Sequence, residues 1–370
     1  MVQFNDFFST DKLKKSLFEL FSDMYTVQNQ IYTKQAIVHL TDKFPNSKLF
    51  LTHSATGALE VIARLLNLQK GDEILLQSFT YVSTVNAFVS FGATPVFVDI
   101  NDKDFNIDLN NIEHRITNKT KAIVVTHYAG RSTEMDVLKN ICDKRGILLI
   151  EDAAMSYGNQ FQNRFLGSIG DFGVISFDYT KQISAIQGGV LLVNNKDFFE
   201  RADYIINNGT NRSSFESQKT SYFEWIDIGS KYKLPENNAL ILLHHLENED
   251  KILGKRKLIS SWYFNELKMY EEKIINVKEV NTNYNLFYFL TNSLKERDLL
   301  RLFLHENGVE TKFHYIPLHN STMGLKFGEE VLSVTENVSN CLLRLPFHHN
   351  LTQQEISKVC ELIKFFYASK

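Results

Sequence analysis

The sequence predicts an α/β protein in two parts: a large domain with a mainly parallel sheet flanked by helices, and a smaller carboxyl-terminal α/β domain. Three observations lead there. Short β-branched runs alternate with helical patterns over the first two-thirds of the chain, the order expected of a parallel sheet covered by crossover helices. The runs are apolar along their whole length, as strands are when both faces are covered. The 370 residues also exceed the roughly 250–300 beyond which one core divides. A change of texture past about Asp250 puts the large domain, with a helical segment at its start, at 1–250 and the small domain at 251–370.

In chain order, Ala58, Leu59, Ile62, Leu65 and Leu66 fall on one stripe of a helix starting near Ser54. Segments 73–77 (EILLQ), 95–100 (PVFVDI), 122–126 (AIVVT) and 147–152 (ILLIED) read as buried strands. The stretch 134–146 (EMDVLKNICDKRG) ends in basic residues and a glycine, as helices do. VISF and GGVLLV, on either side of Lys181, read as two more strands. Segment 285–291 (NLFYFLT), a helix through 294–308, the strand-like 309–317 (VETKFHYIP) and a final helix make the smaller unit. That last helix opens on a capping-box pattern, Thr352-Gln353-Gln354-Glu355. No repeat, low-complexity tract or Gly/Ser linker separates the parts, so they are expected to pack together.

A formal net charge of −3 and a pI near 6.4 give no general attraction to nucleic acid or anionic lipid, and neither partner is expected. No run of about 18 apolar residues occurs, and the amino terminus lacks an apolar stretch after a basic start. Neither a membrane span nor a signal peptide is therefore expected. Cys142, Cys341 and Cys360 are widely spaced and odd in number, which fits a reducing cytoplasm. No G-x-G-x-x-G follows a strand, which argues against a nicotinamide enzyme, and no metal site is expected.

The chemistry centres on Lys181. A lone lysine is mostly a solvated surface charge, but this one lies on a connection at strand ends, where α/β sheets gather ligands. Partly desolvated there, an amine loses its proton and attacks a carbonyl, and the obvious carbonyl is the aldehyde of pyridoxal phosphate. That cofactor needs a carboxylate on its ring nitrogen, and Asp152 closes the run LLIED; the plainer reading of Asp152 is a helix cap. In 53–60 (HSATGALE), Ser54 and Thr56 offer capping hydroxyls and Gly57 a close backbone approach at a helix amino terminus, where a phosphate is favoured. Tyr81, in SFTYVST, offers a ring for stacking, although an aromatic after a strand is more often core.

Taken in order, SATGALE, GDEILLQSFTYVSTVNAFVSFGATPVFVDI, HYAGRSTEMD, IEDAAMSYG, GSIGDFGVISFDYTK and GGVLLVNN resemble the DegT/DnrJ/EryC1/StrS family of sugar aminotransferases. The resemblance implies the aspartate aminotransferase-type fold (fold type I) of pyridoxal-phosphate enzymes. NNGTNRSSF, DIGSKY, FHYIPLH and LLRLPFHHNLT look like the branch of dTDP-4-amino-4,6-dideoxygalactose transaminases. Carried over position by position, the resemblance implies that Lys181 bonds the cofactor, Asp152 meets the pyridine nitrogen, and Gly57 and Ala58 cradle the phosphate. It also implies that Ser176 binds the phosphate and Tyr81 stacks on the ring. The family's homodimers share active sites through the segment matching GSKYKL, where Lys231 or Lys233 stands in for a donated asparagine. Met155 replaces the family's usual Gln or His on the cofactor's phenolic oxygen, and Gln187 replaces a usual Glu.

The resemblance implies transfer of the amino group of L-glutamate to carbon 4 of a nucleotide-linked 4-keto-6-deoxy sugar, dTDP-4-keto-6-deoxy-D-glucose being the leading substrate. The product is then dTDP-4-amino-4,6-dideoxy-D-galactose or its gluco epimer, for surface polysaccharide such as the O-antigen of lipopolysaccharide. Arg212, His314, Tyr315 and His319 are the expected substrate-binding residues. Alternatives are a 3-keto or a UDP- or GDP-linked substrate, or a pyridoxal-phosphate sugar-nucleotide dehydratase. In the dehydratases a histidine holds the position of Lys181. A non-catalytic regulator on the same fold is expected to carry an added DNA-binding domain, for which the chain leaves no room.

Overall fold

The computed structural model describes residues 1–20, 22–110, 112–273 and 284–369. Strands β1 (Lys48–Thr52), β2 (Glu73–Gln77), β3 (Thr94–Val98), β4 (Thr120–Thr126) and β5 (Leu148–Asp152) are followed by a short hairpin, β6 (Gln160–Phe161) and β7 (Arg164–Phe165). Then come β8 (Phe172–Ser176) and β9 (Gly189–Val193). Seven of them form one sheet in the order β1-β9-β8-β5-β4-β2-β3. Its β3-β2-β4-β5-β8 stretch is parallel, and β9 runs against both β8 and β1.

The continuous apolar runs follow from this burial. Leu75, Ile123, Val125, Val190 and Leu192 pack on one face of the sheet; Ile74, Leu76, Val124, Leu191 and Val193 pack on the other. Side chains alternate faces along a strand, so a strand covered on both sides carries no polar positions. The helix Ala55–Leu65 covers the second face with Ala58, Leu59, Ile62 and Leu65, as the stripe predicts. The helix Met135–Arg145 stops at Gly146, whose φ of 66° is the left-handed conformation that ends helices.

A smaller sheet pairs β10 (Phe287–Leu290), β12 (Leu342–Leu345) and β11 (Lys312–Phe313), with β12 in the middle. The strand-like 309–317 is reduced to the two residues of β11, both of them exposed. The helices Leu294–Glu306 and Gln353–Ala368 pack on this sheet, the second opening on the expected Thr352–Glu355 capping box. The packing cuts across a division at residue 250. The helix Glu249–Glu266 places Ile252 in the core of the large sheet and Ile259 and Tyr263 in that of the small one. At the other end of the chain, Val2 pairs with Val309 and is buried with the small domain.

Two clamps join the domains. Asp99, just past β3, accepts bonds from the Val334 and Thr335 amides and the Thr335 hydroxyl at the start of the helix Ser333–Cys341. Arg115 pairs with Glu330 at 2.6 Å. All three cysteines are buried and unpaired, and among the described residues no helix is long and apolar enough to cross a membrane.

Two glycines test the packing in opposite directions. A Cβ on Gly189 would stand 2.6 Å from the Ala55 amide nitrogen and 2.8 Å from its Cα, contacts with backbone that cannot swing away. Gly189→Ala should destabilise by about 1–3 kcal/mol. Gly254 lies inside the helix Glu249–Glu266 with nothing near its missing Cβ, so Gly254→Ala should stabilise by about 0.5–1 kcal/mol. Urea-unfolding midpoints check both signs.

Candidate functional site

Sheet register brings the chemistry to one edge. Asp152 ends β5 beside Thr126 of β4 and Val174 of β8; Ser176 ends β8 opposite Gly189, the first residue of β9; Gly189 in turn faces Thr52, the last residue of β1. The chain leaving β1 enters the helix Ala55–Leu65 at this edge. Its cap, Ser54, accepts the Gly57 amide at 3.0 Å, and the Ala58 amide bonds the Ser54 carbonyl. The amides of Ala55 and Thr56 have no acceptor among the described residues, and both residues line a cavity of about 590 Å³. Free amides at a helix amino terminus attract anions.

Lys181 lines the same cavity. The turn that carries it is fixed by Asp178, whose carboxylate accepts the Thr180 amide and hydroxyl and whose carbonyl accepts the Lys181 amide. Burial pushes the Lys181 amine down to about 8, with Arg344 adding to the effect while Asp152 and Asp178 oppose it. At pH 7 roughly a tenth of such amines are unprotonated, against about one in 3,000 for an ordinary lysine.

Asp152 is buried and held at both oxygens. The Thr84 hydroxyl donates to Oδ2 at 2.6 Å and the Ala154 amide to Oδ1 at 3.1 Å. With its proton committed to Asp152, Thr84 accepts from Thr80, which accepts from Thr126. Three hydroxyls thus point one way, toward the carboxylate.

These groups fit pyridoxal phosphate. Two free amides and the Ser176 hydroxyl suit its phosphate, a fixed carboxylate suits its ring nitrogen, and a weakly basic amine suits its aldehyde. Tyr81, 60% exposed, adds an uncovered aromatic ring on the cavity wall.

The structure distributes the expected site residues unevenly. Lys181, Asp152, Ser176, Tyr81, Met155, His314 and Tyr315 all line the cavity. Gly57 and Ala58 do not; the Ser54 cap consumes their amides, and the open positions lie two residues earlier, at Ala55 and Thr56. His314 is occupied at both nitrogens, by the Tyr128 hydroxyl and by Arg344. Burial and the neighbouring cations hold it well below the usual histidine range, so it stays neutral. His319 lies away from the cavity, fully buried between Ser78 and Glu336, where it joins the domains. Arg212 is exposed, near Glu216 and the ring of Phe223, and Lys231 is exposed on a bridge to Asn207. Neither lines the cavity of its own chain. Where Met155 departs from the family's donor, the Tyr315 hydroxyl stands 4.0 Å from its sulfur.

Sequence reasoning missed Arg344, Thr84, Phe4 and Asn5, all on the cavity wall. Arg344 had a signal: it is the one charge in the apolar run of β12. Phe4 and Asn5 had none, because the amino-terminal segment reaches the site only through tertiary bonds such as that from Asn5 to the Tyr179 carbonyl.

A sequence profile of the DegT/DnrJ/EryC1/StrS aminotransferase family matches residues 42–364. GDP-perosamine synthase of Escherichia coli O157:H7 is 28% identical over 320 residues, covering 86% of this chain and 85% of that protein. The UDP-N-acetyl-3-dehydro-alpha-D-glucosamine 3-aminotransferase of Acidithiobacillus ferrooxidans is 28% identical over 314 residues, covering 84% and 82%. Among solved structures, Helicobacter pylori PseC, an aminotransferase involved in the biosynthesis of pseudoaminic acid, superposes with a TM-score of 0.90 over 100% of both chains. At 22% identity that last likeness is one of fold.

Two outcomes follow from the geometry. Covalent capture of pyridoxal phosphate by the apoprotein, trapped with borohydride and mapped by mass spectrometry, should fall on Lys181. Its rate should rise with pH through a midpoint near 8, because only the neutral amine reacts. A midpoint near 10.5, or a different labelled lysine, would remove Lys181 from the role. Thr84→Val deletes the only hydroxyl donor to Asp152 among the described residues and should slow the amino-acid half-reaction roughly 5- to 100-fold, a cost of about 1–3 kcal/mol; Thr84→Ser should retain most of the rate.

Proposed function

Because the chain belongs to the DegT/DnrJ/EryC1/StrS aminotransferase family, a family of pyridoxal-phosphate-dependent sugar aminotransferases, we propose that it moves the amino group of L-glutamate to carbon 4 of a nucleotide-linked 4-keto-6-deoxy sugar. The leading acceptor is dTDP-4-keto-6-deoxy-D-glucose. The observation that carries the reading is the pairing, in one cavity, of a lysine of depressed basicity with a buried carboxylate held by donors at both oxygens. Relatives named for GDP- and UDP-linked sugars support a sugar bearing a nucleoside diphosphate. The thymidine base rests on the resemblance in 207–215 and 342–352.

When bound, pyridoxal phosphate supplies an aldehyde and an electron-withdrawing ring that stabilises charge at the substrate carbon. The Ala55 and Thr56 amides and the Ser176 hydroxyl would hold the phosphate, and Asp152 the ring nitrogen. Lys181 would take a proton from the donor's α-carbon and return one to the acceptor, a task favoured by basicity near the working pH. Phe4 and Phe347 on the wall limit water.

The working unit is a homodimer. Tyr222, Trp225 and Ile228 are 74%, 76% and 65% exposed, a cluster that a lone soluble chain rarely leaves open. A second copy covering it brings Arg212 and Lys231, which miss their own cavity, toward the other subunit's. Trp225→Asp should halve the mass measured by light scattering.

The test of function is chemical. Holoenzyme, L-glutamate and dTDP-4-keto-6-deoxy-D-glucose should give a 4-amino-4,6-dideoxy sugar nucleotide, its configuration assigned by NMR, faster than with the GDP- and UDP-linked analogues. Preference for one of those analogues would replace the nucleotide; amination at carbon 3 would replace the position.

A further inference from the structure

Four buried histidines hold the amino-terminal segment, and none takes part in the chemistry above. His244 and His245 lie on the helix Glu236–Glu247 of the large domain; His348 and His349 follow β12 in the small one. Nε2 of His348 donates to the Gln3 carbonyl at 3.2 Å, Nε2 of His245 donates to the Phe8 carbonyl at 3.0 Å, and Nε2 of His244 meets the Thr10 hydroxyl at 3.1 Å. The ring centroid of Phe8 lies 5.8, 5.5 and 5.2 Å from those of His244, His245 and His349. His245 has a further tie: its Nδ1 accepts the Ser184 amide at 3.3 Å, three residues past Lys181. One imidazole thus joins the turn of the reactive lysine to the segment that puts Phe4 and Asn5 on the cavity wall.

These bonds require neutral rings. With Nε2 of His245 donating, Nδ1 must accept, and a proton there would face the Ser184 N–H with no acceptor. Nδ1 of His348 and Nε2 of His349 are sealed from water without a partner, so protonating either ring leaves a buried N–H unpaired. The surrounding charges are mixed. Lys12 and Glu247 face His244; Lys251 and Arg256, on the helix Glu249–Glu266, oppose a charge on His349, and Arg256 opposes one on His348; Asp6, bonded by Asn350, favours a charge on both, and Glu355 favours one on His348. Burial prevails: all four sit below the usual histidine range, His245 and His349 at about 4. We propose that the four histidines form an acid-released latch with His245 as its positioning residue: proton uptake by His245 and His349 frees residues 2–10 and takes Phe4 and Asn5 off the active-site wall. The latched form is the neutral one. Freed imidazoles titrate at about 6.5, so as pH falls from about 6.5 toward about 4 the free state takes up the protons and the latch weakens. Between pH 7 and 5 the ratio of latched to free chains falls about 20-fold through one such histidine and about 500-fold through two.

The test is hydrogen exchange of the holoenzyme, read by mass spectrometry as protection relative to the free-chain rate at each pH. The peptide covering residues 2–10 should lose protection roughly 20- to 500-fold between pH 7 and 5 and regain it on return to pH 7, while peptides from β4 and β5 keep theirs. His245→Gln retains a donor for Phe8 and does not titrate. Combined with His349→Gln, it should shrink the fall at least about tenfold, and each single variant should give an intermediate value. A uniform loosening of the segment lowers protection at both pH values and leaves the fall unchanged, so the ratio reads titration alone. Protection of residues 2–10 that is unchanged between pH 7 and 5, or that falls in step with β4 and β5, would overturn the proposal. A fall of equal size in the wild type and the variants would overturn it too.

Discussion

A buried carboxylate one residue away from the chemistry holds the site together. Glu151, with no exposed surface, accepts the amides of Gly167, Ile169 and Gly170 and faces Nε2 of His127 at 2.9 Å. His127 directly follows β4, Glu151 belongs to β5, and the three amides lead into β8. One side chain thus ties three strands to one another, and Thr126, Asp152 and Ser176 of those strands line the cavity. Removing such a carboxylate strands several buried donors at once, so each neighbour depends on all the others. The glycines of GSIGDFG have the same origin: a Cβ on Gly173 would fall 2.0 Å from the Gly167 carbonyl oxygen, leaving no room for the loop that wraps Glu151.

Around that anchor, the site divides its tasks between domains by distance in sequence. The large sheet supplies an amine, a carboxylate and a helix end within 52–189, the carboxylate on a strand terminus and the amine and helix end on the connections that leave β8 and β1. The small sheet and the amino-terminal segment supply the opposing wall, including Arg344 and Phe4. The first group carries the features that fit pyridoxal phosphate; the second forms the facing wall of the same cavity. Asp99 and Arg115 clamp the two halves near β3, at the far edge of the sheet from β1.

What was legible in the sequence follows this division. Asp152 closes an apolar strand run and Lys181 lies on the connection between two such runs, so the strand pattern placed both at a sheet edge, whereas Ser176 came only with the family resemblance. Ser54 announced its helix through capping chemistry that is local by nature. Gly57 and Ala58 were read two residues too far along, because a capped amide and a free one look alike until the bond from Gly57 to Ser54 is seen. His319 and Arg212 shared a residue type with ligand-binding side chains, but only tertiary packing decides that one is a strut between domains and the other a surface group. Arg344 went unread because a charge in a buried strand has meaning only when tertiary packing puts it on a cavity wall.

The amino-terminal segment has a consequence for how the protein comes to be made. The Val2 amide bonds the Gly308 carbonyl, the Phe4 amide bonds Glu310, and the Phe4 carbonyl accepts the Phe347 amide. These pairs join residues some three hundred positions apart, among the most distant closures the chain makes. On a ribosome adding about 5–20 residues per second, the first residues to emerge wait many seconds for the partners that will hold them. The large sheet has all its strands long before then. Assembly therefore runs from a completed scaffold to a late closure in which residues 2–4 meet partners made some three hundred positions later, and the cavity gains Phe4 and Asn5 only at that moment. Contacts of such long range slow the final step of folding, and until it occurs Phe4 lacks the neighbours that bury it.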